Sequence, residues 1–110
     1  MTSTRELRSV EDIRSAFTPV LRKGGARKAI VFGSYARGDA DEHSDLDLIV
    51  VTDTDRTVFD RYKNFGGLYD VWHKGIDLLI YTPEELAQML SEHRAFIDIA
   101  LEEGVVIYEE

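Results

Sequence analysis

The sequence predicts an α/β fold in which a small mixed β-sheet is flanked by helices. Two features indicate it: short apolar runs rich in β-branched residues, typical of buried strands, and amphipathic stretches with helix-capping residues. At 110 residues the chain has the length of one domain, and an apolar content of 44% is enough for one core. We therefore expect a single domain over residues 1–110.

The chain begins with an amphipathic helix. Two N-cap motifs precede its apolar positions, at residues 3–6 and 9–12. Pro19 falls inside the pattern and predicts a kink or the end of one helical segment. Gly24 and Gly25 predict the C-terminal stop. The apolar stripe, at spacings of three and four residues, comprises Leu7, Val10, Ile13, Phe17, Val20 and Leu21.

Four short apolar segments predict the strands, at residues 28–32, 45–51, 76–81 and 105–108. Because side chains alternate along a strand, Leu46, Leu48 and Val50 are expected on one face of the second strand. Asp45, Asp47 and Ile49 are then expected on the other face.

The connecting segments predict further helices. Aromatic residues at loosely helical spacing over 52–75, interrupted by Gly66 and Gly67, predict a helix with a break or loop. Thr82 to Glu85 form a complete capping box with Pro83 in the first turn. A last helical pattern runs through residues 93–101 and stops at Gly104. We expect Phe65, Tyr69 and Trp72 to pack in the core rather than to stack on a nucleobase.

A glycine turn follows the first strand. Gly33 allows the backbone to approach a ligand closely, and the N–H groups after it can bind phosphate oxygens together with the Ser34 hydroxyl. Arg37 is close enough in sequence to assist, although the sequence does not indicate the direction of its side chain. A turn with no ligand is the alternative interpretation, since most Gly-Ser turns are only turns.

Three acids complete a candidate catalytic site. Asp45 and Asp47 are two residues apart on the second strand, so both carboxylates face one side. Oxygen ligands of this kind suit Mg²⁺ or Mn²⁺. Asp77 lies in an otherwise apolar strand, where an unpaired charge is costly, and joins the other two if the strands are neighbours. We therefore expect a nucleotide-transfer site with two metal ions, in which Asp77 helps as a base. The alternatives are two solvated acids at a strand end and an Asp77 that caps a strand edge.

The bulk composition limits the partners. The formal net charge is −8, from 21 acidic and 13 basic residues, which disfavours binding to long nucleic acid. With no cysteine, disulfides and thiolate metal sites are excluded, and the composition suits the cytoplasm. No apolar run approaches the length of a membrane span.

The motifs resemble the signature of the DNA polymerase β-like nucleotidyltransferase superfamily. Gly33-Ser34, ten intervening residues and Asp45-Leu46-Asp47 match that signature, and Ala36-Arg37-Gly38 is similar to its minimal nucleotidyltransferases (MNT). The resemblance implies the nucleotidyltransferase fold, a nucleoside triphosphate bound at the Gly33-Ser34 turn, and Mg²⁺ held by Asp45 and Asp47. It places the third acid of the triad at Asp77.

The resemblance also implies adenylyl transfer from ATP to a hydroxyl, with a tyrosine of a helical HEPN-type toxin as a candidate acceptor. This chain would then be the antitoxin of a HEPN/MNT pair. The alternative is a non-enzymatic antitoxin or binding module that neutralises its partner by contact. Transfer to a small molecule is disfavoured, because the chain has no room for an acceptor-binding domain. The sequence leaves homo- or hetero-oligomer formation open.

Overall fold

A four-stranded mixed sheet lies at the centre of the computed structural model, which describes residues 9–110. The strand order is β3-β2-β1-β4; β1 pairs antiparallel with β2 and β4, and β2 pairs parallel with β3. The predicted third strand has the observed bounds. The other three predicted strands differ from the observed ones by one or two residues at their ends. The strands are β1 (Ala26–Phe32), β2 (Leu46–Thr52), β3 (Ile76–Tyr81) and β4 (Val105–Glu109).

The first helix, α1 (Val10–Gly24), is continuous, so the prediction that a segment could end at Pro19 was wrong. Pro19 is exposed, and the carbonyl that lacks its N–H partner can bond to water, while Ile13, Phe17 and Leu21 hold the opposite face in the core. Ser9 accepts a hydrogen bond from the Asp12 N–H, which confirms the second N-cap motif. The first motif, at 3–6, lies outside the described residues.

The alternation predicted for β2 is confirmed. Leu46, Leu48 and Val50 lie in the core beneath α1. Ile49 lies on the other face, in a second apolar cluster with Phe32. Because Asp47 has the same strand parity as Ile49, its side chain projects on the second face.

The segment between β2 and β3 forms three short helical pieces rather than one interrupted helix. They are α3 (Val58–Arg61), a 3₁₀ turn (Tyr62–Phe65) and α4 (Leu68–Val71). Phe65 and Trp72 are buried in the core as expected, whereas Tyr69 is half-exposed, so its assignment to the core was wrong.

Two helices follow β3 and cover the second face of the sheet. α5 (Pro83–Ser91) begins with the predicted capping box: Thr82 Oγ1 accepts from the Glu85 N–H, and the Glu85 carboxylate accepts from the Thr82 N–H. α6 (Ala95–Glu103) ends at Gly104 as predicted. His93 lies in the turn between the helices, with φ 53°, and not in α6. Within residues 9–110, no helix combines the length and the apolar character that crossing a membrane requires.

Candidate active site

The predicted glycine turn connects β1 to a single helical turn, α2 (Ser34–Arg37). Gly33 has φ 73° and ψ −149°, a conformation that is essentially restricted to glycine. The Ala36 and Arg37 N–H groups donate to the Gly33 carbonyl at 3.1 and 3.0 Å. The first N–H groups of such a turn have no partner within it and are available to an anion. The predicted glycine turn is therefore present, and it leads into a helical turn.

Gly33 also lies directly against one of the candidate acids, Asp47. Phe32 and Asp47 are register partners of β1 and β2, so the turn begins beside the second acid. A Cβ atom at position 33 would overlap Asp47 Oδ2. Glycine is therefore required both by the backbone conformation and by the carboxylate that lies against it.

Asp47 and Asp77 are brought side by side by the parallel pairing of β2 and β3. They are register partners, so their side chains leave the same face of neighbouring strands, and the Asp77 carboxyl group is close enough to raise the pKa of Asp47. From the sequence, Asp77 was expected to join Asp47 only if their two strands are neighbours. β2 and β3 are neighbours in the sheet, so this expectation is confirmed.

Asp45 precedes β2 and lies at the edge of this pair. Its Oδ1 rests against the backbone of Gly75, where a Cβ atom would overlap it. Its negative charge acts on Asp47. Within residues 9–110, no group of three carboxylate or imidazole side chains is already arranged to hold a metal ion. The assignment of all three acids as metal ligands stays a prediction.

Burial and the neighbouring acids together raise the pKa of Asp47. Partial burial, the hydrogen bond with Asp77 and the negative charges of Asp77 and Asp45 raise the pKa of Asp47 to about 6. The nearby positive charge of Arg37 opposes this rise. The structure therefore holds carboxylates together at a cost that a bound cation would relieve.

Arg37 extends from the end of α2 towards two other acids. Its Nε donates to Asp39 at 3.3 Å and its Nη1 donates to Glu103 at 3.2 Å. The same Glu103 oxygen accepts from the Gly33 N–H at 3.1 Å. Sequence analysis assigned no role to Glu103, which lies 66 residues after Arg37, and no local pattern indicates the contact.

Two clefts meet at Asp47. One, of about 210 Å³, is lined by Gly33, Asp47 and Glu103 together with apolar residues of α6. The other, of about 460 Å³, is lined by Asp47, Asp77 and apolar side chains of β3. Phe96 of α6 borders both clefts, is 49% exposed and contacts the edge of the Phe32 ring. Phe96 belongs to the helical pattern predicted over residues 93–101, and about half of its surface stays exposed beside the clefts.

The donor set suits a divalent cation. The acids supply oxygen atoms, which Mg²⁺ and Mn²⁺ prefer. Burial and the negative charges of Asp77 and Asp45 raise the pKa of Asp47, and a cation held by these acids would neutralise the same charges. Asp45, Asp47 and Asp77 are therefore the residues that would hold it.

Comparison with known proteins assigns the family. The model of the Nucleotidyltransferase domain family matches residues 13–107, which includes the glycine turn and all three acids. The chain belongs to this family. It is a nucleotidyltransferase, and the resemblance to the minimal nucleotidyltransferases is confirmed.

A relative from Methanocaldococcus jannaschii is 33% identical over 74 residues, which cover 67% of this chain and 80% of that protein. Its name is "Putative protein adenylyltransferase MJ0435". A second protein of the same name and organism, MJ0604, is 54% identical over 33 residues, which cover 30% of this chain and 33% of that protein.

Solved structures show the same fold. One, described as a minimal nucleotidyltransferase, has a TM-score of 0.65 and 27% identity, and the match covers 94% of this chain and 98% of that one. A toxin–antitoxin structure with AMP-PNP has a TM-score of 0.64 and 17% identity, covering 88% and 73%. A third structure contains a tri-AMPylated Shewanella oneidensis HEPN toxin in complex with MNT antitoxin. It matches with a TM-score of 0.59 and 14% identity, and the match covers 92% of this chain and 73% of that one. The predicted mixed sheet with flanking helices is confirmed.

Proposed function

We propose that this nucleotidyltransferase moves AMP from ATP onto a hydroxyl group of a partner protein, with Mg²⁺ held by Asp45, Asp47 and Asp77. The observation that carries the proposal is the pairing of Asp47 with Asp77 directly beside the Gly33 turn. This places acids suited to a cation within contact distance of backbone suited to phosphate.

The chain's residues have separable roles in this reaction. The Gly33-Ser34 turn and Arg37 orient the triphosphate, and Asp77 accepts the proton of the attacking hydroxyl. The hydroxyl oxygen forms a bond to the α-phosphorus, the bond from the α-phosphorus to the bridging oxygen breaks, and pyrophosphate leaves. Mg²⁺ at the acids supplies charge neutralisation of the phosphates and lowers the pKa of the hydroxyl.

A protein acceptor is supported by the relatives and by the shape of the site. The Methanocaldococcus relatives are named for protein adenylyl transfer, and a tri-AMPylated HEPN toxin occurs in complex with a protein of this fold. The cleft at Asp77 is open and lies at edge strand β3. We propose that the acceptor is presented there by a HEPN-type toxin, which makes this chain the antitoxin.

Label transfer tests the proposal. The protein is incubated with a purified HEPN-type partner, Mg²⁺ and ATP labelled at the α-phosphate, and the partner is analysed for covalent label. We expect transfer by the wild type, none after chelation of the metal, and at least a hundred-fold loss in Asp47→Asn.

Asp70→Asn is the matched control, because it removes the same charge from an exposed residue of α4 on the opposite face of the sheet. It should transfer label like the wild type. Absence of transfer by the wild type, or equal transfer by Asp47→Asn, would contradict the proposal.

A further inference from the structure

Glu103 already occupies the turn that the proposed function assigns to the triphosphate. One carboxylate oxygen, Oε1, accepts from the Gly33 N–H at 3.1 Å and from Arg37 Nη1 at 3.2 Å. These donors come from the backbone and the side chain of the same turn. An internal anion is therefore bound to Arg37, which the proposed function assigns to the triphosphate, and to the backbone N–H directly before those assigned to it.

We infer that Glu103 is an intramolecular competitor of the nucleotide, which the triphosphate must displace, and that it sets how tightly ATP binds. The inference rests on the proposed function. A carboxylate and a phosphate oxygen are both anionic acceptors for the Arg37 guanidinium, and two negative charges at neighbouring donors of one turn repel each other.

The exposure of Glu103 makes displacement feasible. Its side chain is 27% exposed and lies at the last residue of α6, on the rim of the smaller cleft. It can therefore rotate into solvent without unpacking the core. The buried residues of α6 are Ile97 and Ala100, which precede Glu103 by about two turns and one turn.

Arg37 strengthens the competition because its charge is already shared. The guanidinium is paired with Asp39 as well as with Glu103. An incoming phosphate gains the full attraction of Arg37 only when a carboxylate leaves. Ion pairs of this exposure are weak, so the expected effect on the dissociation constant is about two- to five-fold.

Variants at two neighbouring glutamates separate the effect of the Glu103 contact with Gly33 and Arg37 from the effect of removing one negative charge. Glu103→Gln removes the charge with almost no change in shape. Glu103→Asp keeps the charge but withdraws the carboxylate from Gly33. Glu102→Gln removes the same charge from the exposed neighbouring residue and is the control.

Binding of Mg²⁺-ATP and of inorganic tripolyphosphate is measured by calorimetry for the four proteins. We expect Glu103→Gln and Glu103→Asp to bind both ligands about two- to five-fold more tightly than Glu102→Gln, with unchanged affinity for adenosine. In label transfer, the KM for ATP should fall by the same factor at an unchanged kcat.

If Glu103 instead positions Arg37 for the nucleotide, both Glu103 variants will bind ATP more weakly, which overturns the inference. Affinities equal to that of Glu102→Gln also overturn it, although the proposed function survives in both cases. A wild type that binds neither ATP nor tripolyphosphate defeats the proposed function and this inference together.

Discussion

Gly33 is the residue at which backbone conformation and site chemistry meet. Its positive φ and extended ψ exclude other residues, and its missing Cβ leaves room for Asp47. The requirement for glycine therefore comes from two independent causes. Gly25, which has a positive φ and open space around it, is the reference for a glycine that only the backbone conformation requires.

Gly33→Ala is expected to destabilise the protein more than Gly25→Ala and to abolish nucleotide transfer. Gly25 has φ 85°, and a Cβ there would meet no atom within 4 Å, so its cost is the backbone term alone, about 1–2 kcal/mol. Gly33→Ala adds the displacement of Asp47. Urea unfolding measures both changes. Equal losses of unfolding free energy would contradict both the more restricted backbone of Gly33 and the cost of its contact with Asp47.

The raised pKa of Asp47 predicts that the metal-free protein loses stability as pH rises. The folded pKa, about 6, lies above the unfolded value near 3.8, so the folded state binds more protons between them. The free energy of unfolding then falls from about pH 4 to pH 6 through this group, and the penalty remains above pH 6. Asp47→Asn removes the titration and should have a higher melting temperature than the wild type at pH 7.5.

Thermal melts in chelator from pH 4 to 8 check this. The difference between Asp47→Asn and the wild type should grow from near zero at pH 4 to a plateau above pH 6. Mg²⁺ should raise the melting temperature of the wild type at pH 7.5 and have little effect on Asp47→Asn. A difference that does not depend on pH would contradict the assignment of the raised pKa.

At the scale of elements, side chains from α3 and the 3₁₀ turn cover the free edge of β3. Arg61 is 7% exposed and donates to the Ile80 carbonyl at 3.2 Å, while the Tyr62 hydroxyl donates to the Leu78 carbonyl at 2.7 Å. Arg61 also donates two hydrogen bonds to the Glu85 carboxylate, at 2.7 and 2.9 Å. The irregular segment after β2 thus protects an edge strand that could otherwise pair with another chain.

Glu85→Ala should lower the free energy of unfolding by about 2–4 kcal/mol. It removes the capping box of α5 and leaves the nearly buried Arg61 charge without its carboxylate partner. Glu84→Ala, at an exposed position in the same helical turn, should cost less than about 1 kcal/mol. Equal destabilisation in urea titrations would mean that the ion pair with Arg61 does not stabilise the fold.

Local patterns predicted the elements well but not the contacts between them. The alternation of side chains along β2 placed Asp47 on the same face as Ile49, as observed. The capping box placed the start of α5 at Thr82, also as observed. The contact of Glu103 with Gly33 joins residues 70 positions apart and leaves no trace in either local sequence. The helical pattern indicates which side of α6 carries Phe96. How exposed Phe96 is depends on which other elements pack against that side, and the pattern does not specify them.

The contacts within the candidate site could likewise not be predicted from local sequence patterns. Strand order decides whether Asp77 meets Asp47, and an apolar run containing one acid does not specify which strand lies beside it. The resemblance to a known family supplied that information in advance. The single-domain assignment of residues 1–110 and the metal roles of the three acids stay predictions.

At the scale of the molecule, the net negative charge favours a partner with a basic surface. In the proposed function, that partner also supplies the hydroxyl group that accepts AMP. The net charge is −8, so attraction to such a partner should weaken as salt concentration rises. Neutralising Asp47 changes this total by one unit and removes a half-buried group at the junction of the clefts. Contact with the partner and catalysis on it can therefore be separated by one substitution.

We expect Asp47→Asn to bind a HEPN-type partner with nearly wild-type affinity and to fail to protect cells that express it. Binding is measured at several salt concentrations, and protection is measured by growth during co-expression. Loss of protection with retained binding requires that chemistry at the paired acids, rather than coverage of the partner's surface, does the neutralising. Full protection by Asp47→Asn would favour the alternative function, in which contact alone is sufficient, because the acidic surface that attracts the partner is almost unchanged in that variant.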